Sequence, residues 1–251
     1  MKGAGSAIGW LVGLLAFCAV GSAGCGKSKP KPPLPVASAA PHVPCDGGES
    51  RDPPHQEARP AIQALRAKDF DTAQRLFAEL LAKYPESASL RVWRGDALLG
   101  QDSNDSTTAA LDAYAEARAL DARGCKLRER ERYFLAVGTA DAQLRRGQTD
   151  AALAILTEAA REWPEAPEVA YQRARVECMQ GQREACFGDL EAALRGSRSG
   201  RYPRFSRGHR ASEHLRERAE KQTEFAELRK EPRYKALLAS LAQLDGGAAP
   251  Q

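Results

Sequence analysis

Five positions recur after 34 residues without a gap: Ala140, Gly147, Ala152, Leu156 and Ala159 are echoed by Ala174, Gly181, Cys186, Leu190 and Ala193. A unit of that length has room for two helices and a glycine turn, and its small residues let the helices approach closely. Such a hairpin cannot bury its apolar face alone, so it is stabilised by stacking on the next one. The rest of the composition agrees. Only 6% of residues are aromatic, and Ala and Leu dominate the apolar ones, which favours helices over strands. The expected fold is all-α.

Four units can be laid out. The third runs from about Arg132 to Pro164 with Gly147 at its turn, and the fourth, Pro167 to about Arg198, keeps step with it. The first, Arg59 to Pro85, has Phe70, Ala73, Phe77 and Leu80 at helical spacing, with Lys68 at the turn. In the second, Ala110, Tyr114 and Ala117 repeat the spacing, but Gln101–Ser106 lengthens the turn by about three residues. About eight more residues, within Asp121–Arg132, separate the second and third units and extend a helix.

Over Arg59 to about Leu244 the chain resembles tetratricopeptide repeat (TPR) proteins. The resemblance implies a superhelix of antiparallel helix pairs whose first helices line a concave groove. In the third unit the implied groove positions are Phe134, Val137, Asp141, Leu144 and Arg145; in the fourth they are Glu168, Tyr171, Arg175, Cys178 and Met179. Apolar anchors mixed with both charge signs suit an extended or helical peptide from a protein partner. Several of these positions, Val137 and Leu144 above all, are equally readable as core. The Lys/Asn pattern with which some TPR domains clamp a C-terminal carboxylate is absent. Beyond the repeats, Thr223–Leu238 resembles a closing element that follows bacterial TPR arrays.

The N-terminus reads as an export signal. Lys2 precedes an apolar run of 14 residues, Ala7–Val20, shorter than the roughly 20 that span a bilayer as helix. Ser22-Ala23-Gly24-Cys25 resembles the lipobox of bacterial lipoproteins, which implies cleavage after residue 24 and acylation of Cys25. Gly21-Ser22-Ala23 also fits an ordinary signal-peptidase site, which would leave the protein soluble in the periplasm. Gly26 after the cysteine favours the outer membrane. Residues 25–58 form a Pro-rich tether, since residues 26–60 hold nine of the fifteen prolines and few bulky apolar side chains. As polyproline helix this stretch reaches about 100 Å.

The domain plan is therefore signal peptide 1–24, tether 25–58, four helix pairs over 59–198, an Arg-rich loop with closing helices over 199–244, and a tail 245–251. An exported chain sits where disulfides persist, and Cys178 and Cys186 flank the turn of the fourth hairpin, within bridging reach. Cys45 with Cys125 is the remaining pair. The loop Arg195–Arg210 offers Arg201, Arg204, Arg207 and Arg210 to an anionic lipid or envelope polymer. A net charge of +4 gives no ground for a nucleic-acid partner.

Metal binding through His42, Cys45 and His55 lacks a recognised spacing, no cofactor motif is present, and no nucleophile, zinc-protease or phosphate-loop motif occurs. The sequence thus predicts a non-enzymatic, membrane-anchored scaffold that binds a protein or peptide in the cell envelope.

Overall fold

Four tight turns organise the structure, and each reverses the chain through one residue of positive φ. These are Lys68 (61°), Asp102 (55°), Gly147 (71°) and Gly181 (74°). In every case the next helix begins two residues later. The computed structural model describes residues 52–197 and 209–246, all within the compact unit Ser38–Gln251. Residues 1–24, Cys25 and most of the tether, together with Arg201, Arg204, Arg207 and the tail from residue 247, lie outside the described residues.

Around those turns the helices pair as α1 (His55–Arg66) with α2 (Phe70–Lys83), and α3 (Ala88–Gly100) with α4 (Asn104–Ala122). They are followed by α5 (Glu129–Arg145) with α6 (Thr149–Glu162), and by α7 (Pro167–Met179) with α8 (Arg183–Gly196). Helix α9 (His209–Lys221), two 3-10 turns (Thr223–Phe225 and Leu228–Lys230) and α10 (Pro232–Gly246) follow. Among the described residues there is no strand, and no helix is long and apolar enough to cross a membrane. The fold is all-α, a stack of antiparallel helix hairpins.

The elements start where their sequences dictate. Asp69 caps α2 by accepting the Thr72 amide at 3.2 Å, Ser87 caps α3 through the Leu90 amide, and Pro167 opens α7 at a position where its missing N–H costs nothing. Helix α1 begins four residues before the expected start at Arg59, capped by Pro54, and carries Pro60 inside it. Asp52 ties this start to the array by accepting the hydroxyls of Ser87 (2.6 Å) and Ser89 (2.9 Å).

The second unit departs from expectation instructively. Its turn is not lengthened: Lys68 to Asp102 is 34 residues, like Gly147 to Gly181, while Asp102 to Gly147 is 45. The extra residues become helix instead. Ser103 and Ser106 form a reciprocal capping box that starts α4 in register, and the helix continues at its C-terminal end to run 19 residues against 14 for α2, α6 and α8. The link to α5 is tied down by the Leu127 amide donating to Asp121 Oδ1 (2.7 Å).

The core is a series of layers between hairpins. Phe77 and Leu90 join the first two pairs, Tyr114, Leu120 and Leu127 the second and third, and Leu156, Val169 and Val176 the third and fourth. The last layer sets Tyr171, Leu190 and Leu194 against Leu215, Phe225, Leu228 and Tyr234. Fully burying a side chain such as Phe225 contributes about 2–3 kcal/mol to holding the C-terminal segment on the last hairpin. Cys178 and Cys186 are joined by a disulfide across the α7–α8 turn, with Cα atoms 5.2 Å apart. Cys125 is disulfide-bonded too, to a partner outside the described residues.

The turns make a simple test. A left-handed backbone costs a residue with a Cβ about 1–2 kcal/mol. Gly147→Ala is therefore expected to destabilise the protein by about that much, while Lys68→Gly should stabilise it by about 1 kcal/mol. Denaturant titration followed by circular dichroism reads both.

Candidate functional site

The four turn residues put every first helix in register, and counting back six residues from each gives Asp96 in α3, Asp141 in α5 and Arg175 in α7. These side chains face the same side of the stack, the inner face. Asp141 and Arg175 form an ion pair, and the same guanidinium donates to Gln172 Oε1 (2.7 Å) and to Glu224 Oε1 (2.9 and 3.0 Å). Arg175 is only 6% exposed. Burial alone would raise the Asp141 carboxyl, but Arg175 and Arg145 outweigh it and hold it below the usual carboxylate range. Arg145 continues the line by donating to Asp141 Oδ2 (3.2 Å), Asp102 Oδ1 (2.7 Å) and the Leu99 carbonyl (2.8 Å). A ladder of alternating charge, from Asp102 to Glu224, thus runs across three hairpins to the C-terminal segment.

A second contact seals the same region. Arg218 of α9 lies 4.6 Å over the Tyr171 ring and pairs with Glu168. Tyr171 is fully buried, Phe225 meets it edge-on at 5.5 Å, and burial pushes its phenol up to about 12.

The expected groove residues therefore separate into three groups. Phe134, Val137 and Asp141 line an open cavity, as does Glu168. Tyr171 and Arg175 lie under the 3-10 turn and α9, closed to a ligand, and Leu144 is core at 3% exposure. Arg145 is occupied by the ladder, and Met179 is exposed at the outer end of α7. This corrects the reading of Tyr171 and Arg175 as peptide contacts: the chain's own C-terminal segment covers them. Cys178, beside Met179, is consumed by the disulfide. Of the four arginines offered by the Arg-rich loop, Arg210 lies in the first turn of α9, and Arg201, Arg204 and Arg207 lie outside the described residues.

The cavity has a volume of about 320 Å³, at the small end of ligand sites. Helices α3, α5, α7 and α9 wall it, with Leu99, Phe134 and Val137 supplying apolar surface and His214 and Leu215 the far side. Asp96 stands at its edge, accepting the Tyr114 hydroxyl at 2.7 Å. Tyr114 is wedged between two glycines on facing helices. A methyl on Gly138 would stand 2.7 Å from Tyr114 Cζ and 3.2 Å from Asp96 Oδ1, so both positions require the bare backbone. Burial pushes the Asp96 carboxyl up to about 7, against the lowering effect of the Tyr114 hydrogen bond. Asp96 and Gly138 escaped the sequence reading, as did the place of α9, one of the expected closing helices, in the cavity wall. The signal for Asp96 was Asp102 acting as a turn residue, which sets the second unit in register.

A geometry of stacked hairpins with a 34-residue turn spacing and a lined inner face has a direct counterpart among known families. The tetratricopeptide repeat family matches residues 59–124 and 137–197, together just over half of the chain. The chain belongs to the tetratricopeptide repeat family. No curated protein matches it. The gap between the two matched stretches holds most of the link and the start of α5, where this TPR array departs from the 34-residue period. TPR arrays are protein-interaction scaffolds that present their inner face to partners.

Removing the charge at the centre of the ladder tests its weight. Arg175→Ala leaves Glu224 without its cation and Asp141 with Arg145 alone, which costs about 3 kcal/mol. Hydrogen exchange of the Thr223–Phe225 amides should accelerate more than that of α2, and uniform exchange across the array would contradict a local role.

Proposed function

We propose that this protein is a membrane-anchored TPR scaffold that holds a short segment of a protein partner within a cell-envelope assembly. The observation that carries the reading is the cavity on the inner face between α3 and α9, lined by Phe134, Val137 and Asp96, beside the part of the face that α9 and the 3-10 turn cover. Its mixed apolar and acidic lining suits a side chain presented by a peptide.

The location rests on the sequence. An apolar export signal, a lipobox ending in Cys25 and a Pro-rich tether together describe a domain hung from a membrane, the outer one by the Gly26 rule. The Cys178–Cys186 bridge fits this, because disulfides persist in exported proteins and are rare in reducing compartments. The C-terminal helices give the open end of the stack an apolar partner of its own, the role of a terminal capping unit.

Two measurements test the two halves. Cys25→Ser is expected to shift the protein from the membrane to the soluble fraction; continued membrane association would end the lipoprotein reading. A photoreactive residue at position 134 should capture a defined protein in cells, while one at Glu158, on the exposed face of α6, should not. Equal capture from both positions would overturn the inner-face assignment.

A further inference from the structure

Every carboxylate of the inner-face ladder has a guanidinium except one. Asp141 is paired with Arg175 and Arg145, Asp102 with Arg145, Glu168 with Arg218 and Glu224 with Arg175. Asp96, in the same register, forms no ion pair among the described residues; its hydrogen-bond partner is the neutral Tyr114 hydroxyl. The reason is in the repeat. Where α7 places Arg175 opposite Asp141, α5 places Asp141 itself next in line to Asp96, an acid where a cation would pair. Arg145, the cation of α5 in this region, is already divided among Asp102, Asp141 and the Leu99 carbonyl.

We propose that the cavity beside Asp96 binds an arginine or lysine side chain of a partner peptide, its stem against Leu99, Phe134 and Val137 and its cationic head on the Asp96 carboxylate. This rests on the inner face being the peptide site and adds the chemistry that selects the peptide. An apolar sleeve ending on an unpaired carboxylate matches an amphipathic cation, whose methylene stem packs while its head is neutralised. The Tyr114 hydroxyl, pinned between Gly95 and Gly138, holds the carboxylate in place.

The titration of Asp96 supplies an independent signature. Burial lifts its carboxyl to about 7, so at pH 6.5 most of it is protonated and at pH 8 most of it is ionised. A cation binds the ionised form, so affinity rises with pH, by about fourfold over that interval. The other groups facing the cavity do not mimic this. His214 is held below its ordinary value, first by burial and then by Arg218. Asp141 is held low by Arg175 and Arg145 against burial, Tyr114 is pushed far up by burial, and Arg218 is held above its ordinary value by Glu168 against burial. Glu168 faces the same space but is paired with Arg218.

The experiment selects from a randomised heptapeptide library, acetylated and amidated so that only side chains carry charge, on the full-length protein. Selected peptides should carry Arg or Lys beside an apolar residue. Asp96→Asn, which keeps an acceptor for Tyr114 and so preserves the fold, should lower their affinity about tenfold at pH 8 and abolish the pH dependence. Phe134→Ala should weaken apolar and basic peptides alike. Peptides that depend on Phe134 but show no basic preference would overturn the cation site and leave the inner-face reading standing; peptides indifferent to both variants would overturn both. Tenfold tighter binding on replacing Arg201, Arg204 and Arg207 by Ser would assign the pocket to the chain's own loop and overturn a partner cation.

Discussion

The buried guanidinium of Arg175 is the constraint on which the far half of this molecule depends. It is almost closed to solvent and is satisfied by carboxylates from two directions, one on the preceding hairpin and one on the C-terminal 3-10 turn. An isolated buried charge is untenable, so the three elements that supply its partners must arrive together. Apolar layers alone hold hairpins together without fixing how they slide along one another. The alternating charges from Asp102 to Glu224 add that registry, because a shift of one helical turn would place like charges opposite each other.

That arrangement explains how a repeat protein closes its own binding face. The inner face of a regular stack would run open along all four hairpins. Here Arg218, Phe225 and Glu224 lie over Tyr171 and Arg175, and beside them the inner face keeps a cavity between the second and fourth hairpins. A pocket of that size has room for one side chain, where a long groove takes many.

Much of the fold was legible in the sequence, and the losses have identifiable causes. The third and fourth hairpins were exposed by an ungapped echo, because Gly147 and Gly181 both meet the need for positive φ with the residue best suited to it. The second was misplaced because Asp102 meets the same need without being glycine, and three residues that look like loop, Asn104, Asp105 and Ser106, form the first turn of α4 once Ser103 and Ser106 cap one another. The candidate site was half legible. Phe134, Val137 and Asp141 follow from register, but nothing local announces that Tyr171 and Arg175 are covered by residues about 50 positions later. Coverage by a distant segment is a tertiary fact that periodicity does not encode.

Helix α9 plays two parts at once: its buried Leu215 and Ala219 anchor the end of the stack, while His214, Leu215 and Arg218 form the far wall of the cavity. Twelve residues separate it from α8, against three at each hairpin turn. Whatever fills the cavity also presses on the element that terminates the array, and by reciprocity the docking of that element sets how well the cavity can be filled. The cavity and the packing of the chain's end thus share one helix, so neither can be reshaped without the other.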